Sequence, residues 1–188
     1  GVYGGLWGSR ILFLLERDPC MKNTDLRQVF VFWEGGLSWL AGPFTGVLCA
    51  ALVLWAFRVP VWVNLGASAP GVALAHAIAR IGCVFEGCCY GRPTSLPWAI
   101  SSSTLQARVH PTQVYSMVCE LTVACLLQFL FQKPRYRKYL FPLYGLLLAS
   151  HRFVTEFFRG DPPGPELVGG LRFYQSFCIL LFVFSLCT

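Results

Sequence analysis

The chain has 188 residues, 55% of them hydrophobic and only 13% charged, with a formal net charge of +6 at pH 7 and a mean hydropathy of +0.57. Soluble domains carry about 25% charged residues, so a soluble globular domain, a disordered chain, a coiled coil and a basic nucleic-acid module are all excluded. The apolar residues fall in long continuous runs, which points to a single integral membrane domain over residues 1–188.

A helix needs about 20 mostly apolar residues to cross a bilayer. Six runs approach or meet that length, over 2–15, 37–57, 65–85, 114–131, 139–158 and 171–187. An all-α, polytopic helical bundle is the expected fold, since the runs lack the alternation of a membrane β-barrel. The first run is short and starts at Gly1, so a cut end with hydrophobic sequence missing before it is expected. Alternation places 58–64 and the KPRYRK stretch at 133–138 on one face, and 16–36, 86–113 and 159–170 on the other. The first face has short loops with five basic residues and no acid. The positive-inside rule therefore assigns it to the cytoplasm.

Charges within the runs carry the functional signal. Arg10, Arg80 and Arg152 each lie five or six residues before the end of a run that opens on the outer face, and Glu156 follows Arg152 by one helical turn. At 1.5 Å per residue the three guanidiniums start about 7–9 Å below that surface. One such arginine near a helix end ordinarily snorkels to the headgroups. Three at one depth need anions, and Glu156 serves only Arg152, at i and i+4. The planar fork of arginine suits phosphate, and the anion available at this depth is a phospholipid headgroup. On the same side lie FWEGGLSW at 32–39, RIGCVFEGCCYGRP at 80–93 and HPTQVY at 110–115.

In that order, these stretches resemble the prolipoprotein diacylglyceryl transferase family. The matching motifs are GSRILFLL around Arg10, FWEGGLSW, APGVALAHAIARIG at 69–82, GR at Gly91 and Arg92, HPTQVY, and HRFVTEFFRGD at 151–161. The resemblance implies a seven-helix enzyme of the bacterial inner membrane, with the first helix missing here and the active site facing the outer leaflet. It implies transfer of diacylglycerol from phosphatidylglycerol to the thiol of an acceptor, a lipobox preprotein in the family, with glycerol phosphate released and no cofactor. It also implies catalytic roles for Arg80, Arg152 and Glu156, with His110 as a candidate base on the same face, and substrate-binding roles for Arg10, Arg159, Tyr115, Gly91 and Gln113.

The chain departs from the family where Leu40 replaces a functional histidine, and where Cys83, Glu86 and Cys88 replace asparagines and a glutamate. Cys83, Cys88 and Cys89 lie beside Arg80, with Cys20 on the same side. A disulfide, a reactive thiol, inert packing and a metal site with His110 are the alternatives for them, with no metal expected. Two rival functions remain: a thiol-redox or metal-binding membrane protein on the same scaffold, and a non-catalytic lipid-binding protein.

Overall fold

The computed structural model of the chain describes residues 1–17, 26–30, 41–102, 105–160, 178, 179, 181–183 and 185. Among these, the helices are α1 (Val2–Arg17), α2 (Ala41–Ala56), α3 (Val61–Glu86), α4 (Thr112–Phe131) and α5 (Leu140–Glu156), with 3-10 segments at Leu26–Phe30 and Pro134–Tyr139. Each of the five α-helices overlaps an expected run, although α3 starts at Val61, inside the stretch 58–64 expected as a loop, and the 3-10 segments fall between runs. Only α3 and α4 are long and apolar enough by themselves to cross a membrane, while α1 and α2 are apolar but have 16 residues each. The expected sixth span lies mostly outside the described residues, as do FWEGGLSW, Leu40 and Cys20.

The all-α expectation needs one correction. The segment between α3 and α4 holds a two-stranded antiparallel hairpin, β1 (Ile100–Ser102) and β2 (Ala107–Val109), with Ser101 opposite Arg108. Three-residue strands leave no trace in a search tuned to spans of about 20 residues. What marks them is burial that alternates toward Ser102 and Val109.

The chain divides into two compact units, Gly1–Asn64 and Leu65–Thr188. In the first, α1 packs on α2 through small residues. A side chain added at Gly4 would collide with Cys49, and one at Gly8 with Thr45. Trp7 meets Phe30 edge to face at 4.9 Å. Arg10 and Leu14 are buried here, the Arg10 guanidinium lying 5.7 Å from the centre of the Phe13 ring.

In the second unit α3, α4 and α5 are inverted relative to soluble helices. Their buried stripes recur at three- and four-residue spacing, as one helix face demands. The stripe on α3 is Leu65, Ala69, Ala73, Ala77 and Arg80. On α4 it runs through Gln113, Ser116, Glu120, Val123 and Leu127, and on α5 through Leu140, Tyr144, Arg152 and Glu156. Alanines on α3 let the helices approach closely, as membrane helices require, and Ala69, Ala73, Val123, Ala124, Leu127, Leu140 and Tyr144 form one apolar cluster. Large apolar residues such as Ile78, Phe85, Val118 and Phe129 face outward. Polar residues inside and apolar residues outside suit a lipid surround.

Beyond the helix ends the backbone is knotted. Gly91 N–H donates to the His110 carbonyl at 3.0 Å, Arg92 N–H to the Phe158 carbonyl at 2.8 Å, and Gly160 N–H to the Tyr90 carbonyl at 3.0 Å. This ties the turn after α3 to HPTQVY and to the end of α5. A Cβ at Gly91 would strike His110 and the Phe158 carbonyl, so only glycine fits there. Gly91→Ala should therefore destabilise the fold by about 1–3 kcal/mol, the usual cost of overpacking, read as a lower thermal midpoint in detergent micelles.

Candidate active site

The buried stripes of α3, α4 and α5 become polar where they near the knotted loops. Arg80 and Arg152 are both more than nine-tenths buried. Together with Arg159 they line one small recess. Its remaining walls are Thr112, Gln113, Ser116 and Thr155, with Cys89 from the turn after α3. Glu156 lies 3.4 Å from the Arg152 Nη2, and the Arg159 N–H donates to the Glu156 carbonyl at 3.4 Å. Among the described residues, one carboxylate, Glu156, stands beside the three guanidiniums. The Arg80 Nε has no hydrogen-bond acceptor among the described residues, although it is fully buried.

The HPTQVY stretch supplies the floor of this recess. The Thr112 hydroxyl donates to the Cys89 carbonyl at 2.7 Å, and the Gln113 Nε2 donates to the Cys88 carbonyl at 2.8 Å. The Gln113 Oε1 is buried and accepts no hydrogen bond from the described residues. His110 is not part of the recess wall. Its Nδ1 lies 3.4 Å from the Tyr115 hydroxyl and its ring packs on Phe158, while Tyr115 accepts a hydrogen bond from the Trp98 indole at 2.8 Å. Gly91 serves the backbone knot instead of lining the recess. Arg10 is buried in the first unit.

Cys83, Cys88 and Cys89 are free, half-buried thiols. Their sulfurs lie within 4.8 Å of one another. Two positive φ angles, 68° at Gly87 and 59° at Cys89, turn the chain back so that the three converge. Burial, followed by the neighbouring Cys89 and Cys83 sulfurs, pushes the Cys88 thiol up to about 12.

A second polar group lies between the helices. Glu120, at 2% exposure, sits between two imidazoles: His76 Nδ1 is 3.6 Å from its Oε1 and His151 Nδ1 is 3.5 Å from the same oxygen. His76 Nδ1 also lies 3.2 Å from the Tyr144 hydroxyl. The cluster joins α3, α4 and α5 one helical turn from the recess, since His76 precedes Arg80 and Glu120 follows Ser116 by four residues each. A lone carboxylate in the middle of the 114–131 run was the available signal, because ionisable groups within a span are costly and mark functional or structural sites.

The family profile described as prolipoprotein diacylglyceryl transferase matches residues 1–188. Among relatives named phosphatidylglycerol–prolipoprotein diacylglyceryl transferase, that of Clostridium tetani is 29% identical over 98% of this chain and 76% of its own length. The protein of Azoarcus sp. is 32% identical over 99% of this chain and 72% of its own length. That of Tropheryma whipplei (strain Twist) is 29% identical over 79% of this chain and 59% of its own length. The chain thus spans between 59% and 76% of the length of these three relatives.

Two outcomes follow from the geometry. Glu120→Ala should leave His76 and His151 facing an empty, apolar gap and cost about 1–3 kcal/mol, as a buried polar group losing its partner does, measured by thermal unfolding in micelles. Cys88, held as the thiol well past neutral pH, should react with iodoacetamide at pH 8 more than about tenfold more slowly than free cysteine, whose thiol titrates near 8.5, and its rate should climb steeply toward pH 12.

Proposed function

The chain belongs to the prolipoprotein diacylglyceryl transferase family of membrane transferases, and on that footing we propose that it binds phosphatidylglycerol and transfers its diacylglyceryl group to a thiol acceptor. The convergence of Arg80, Arg152 and Arg159 on one recess, with Glu156 beside Arg152, is the observation that supports it. The lipid phosphate enters this recess from the outer leaflet of the bacterial cytoplasmic membrane. The basic stretch at 133–138 then faces the cytoplasm.

The reaction joins the acceptor sulfur to a glycerol carbon and breaks the bond from that carbon to the phosphate oxygen. The electron pair leaves with glycerol phosphate, and the thiol gives up its proton. Negative charge builds on the departing phosphate. Guanidiniums already fixed in a water-poor site stabilise that charge without reorganising. Glu156 positions Arg152. The Gln113 Oε1, which accepts no hydrogen bond from the described residues, accepts one from a hydroxyl of the headgroup glycerol, while its Nε2 stays committed to the Cys88 carbonyl. The nucleophile is a thiolate, so a base must act, and His110, coupled to Tyr115 at the edge of the site, takes that role in place of the family histidine replaced by Leu40. The acceptor is a prolipoprotein, as the names of the relatives suggest, and its lipobox cysteine supplies the thiol.

The test uses the full chain in vesicles of phosphatidylglycerol, with a lipobox peptide and detection of both glycerol phosphate and the thioether product. Arg80→Ala and Arg152→Ala should each lower turnover by about 10²–10³-fold, the cost of removing one charge-stabilising donor. Lysine at either position should restore only part, for want of the two-pronged fork. Lipid bound with no product formed, or full turnover in both alanine variants, would overturn the transferase reading.

A further inference from the structure

We infer that Cys83, Cys88 and Cys89 form a three-thiolate site for a soft divalent cation of the zinc class, set in the wall of the arginine-lined recess. The inference is independent of the transferase reading, since it concerns residues that the lipid chemistry does not use.

Geometry carries it. A zinc–sulfur bond of about 2.3 Å puts tetrahedrally arranged sulfurs about 3.8 Å apart. The three sulfurs, already within 4.8 Å of one another, reach that spacing by small side-chain rotations. The backbone is arranged in advance. Cys83 closes the last turns of α3, the Cys88 N–H donates back to the Cys83 carbonyl at 3.2 Å, and Cys89 adopts a left-handed conformation that a non-glycine residue rarely takes. Such a conformation persists where surrounding contacts impose it, and here the Thr112 and Gln113 side chains hold the Cys89 and Cys88 carbonyls.

The competing fates fit less well. Inert packing wants buried sulfurs, yet all three are half-buried at a polar loop. A disulfide between Cys88 and Cys89 is disfavoured because adjacent Cα atoms sit about 3.8 Å apart, short of the roughly 4.4–6.8 Å a disulfide spans. A bridge from Cys83 to either would strand the third sulfur. Three thiols binding one divalent cation release three protons, form three sulfur–metal bonds and leave a complex of net charge −1. Cys89 also lines the recess that holds Arg80, Arg152 and Arg159, and guanidiniums nearby suit an anionic complex. Three protein ligands leave one tetrahedral position open for solvent or an anion.

The experiment uses the full chain, purified in micelles under reducing conditions and freed of metal by a chelator. Added Co²⁺ should bind one per chain, giving intense thiolate-to-cobalt absorption in the near ultraviolet and tetrahedral bands in the visible. Zn²⁺ should abolish both. About three protons should be released per ion, as ligand deprotonation requires. Cys83→Ser, Cys88→Ser and Cys89→Ser should each weaken Co²⁺ binding by about 100-fold or more, beyond the loss typical of an outer-shell partner. Cys125→Ser, on an exposed face of α4, should change it less than twofold. Should a serine variant fail to fold, the unmodified chain still decides, because Zn²⁺ should protect Cys83 and Cys89 from maleimide while Cys125 stays labelled. No thiolate absorption together with full labelling under Zn²⁺, absorption unchanged in the serine variants, or a Cys83–Cys88 disulfide in protein purified without reductant would each overturn the site.

Discussion

A guanidinium buried among apolar helices has to meet an anion, and much of the second unit follows from that. Insertion of an arginine at the middle of a membrane helix costs about 2.5–3.5 kcal/mol, and two sit more than nine-tenths buried on facing helices. Glu156 meets part of the demand through Arg152. The alanine stripe of α3 belongs to the same constraint. Buried small side chains at Ala69, Ala73 and Ala77 share the face of α3 that carries Arg80, and Arg80 shares a recess with Arg152 and with Gln113. The knotted loops act at the other end, fixing where α3 stops, α4 begins and α5 ends.

The Glu120 cluster stands beneath that recess. A carboxylate between two imidazoles is costly to bury unless its partners are held, and three helices hold them here. Because His76 and Arg80 share a face of α3, and Glu120 and Ser116 a face of α4, rotation of either helix would break the cluster and disperse the recess together. The polar contact one turn away thus keeps the arginines in register, which apolar packing alone specifies less sharply.

Long apolar runs and single charges within them were legible in the sequence, since each depends on spacing along one helix. That suffices to find Arg80, Arg152 and Glu156 and the faces they occupy. Thr112 and Gln113 were legible only as part of a motif. Their hydrogen bonds to the Cys89 and Cys88 carbonyls depend on where a loop folds back. Glu120 was visible but passed over, because a run judged by its average hydropathy hides one acid, and its partners His76, Tyr144 and His151 lie on other helices. The hairpin at 100–109 and the role of Gly91 were not legible at all. Strands of three residues carry too little pattern, and the tight approach of Gly91 to His110 and Phe158 is set by segments distant in sequence.

The cysteines show how one backbone can carry altered chemistry. Family resemblance puts an amide and a carboxyl at the positions of Cys83 and Cys88, which are oxygen donors able to hydrogen-bond polar ligands. Sulfur donors there hydrogen-bond weakly but bind soft cations strongly. The surrounding scaffold holds them in place: Thr112 and Gln113 grip the turn, and Arg80 lies on the same helix as Cys83. Where a turn is held by side chains that contact only its carbonyls, its own side chains are free to change donor type without moving. That freedom lets an arginine-lined recess and a thiol trio share one wall, where the guanidiniums would favour a phosphate and an anionic metal–thiolate complex alike.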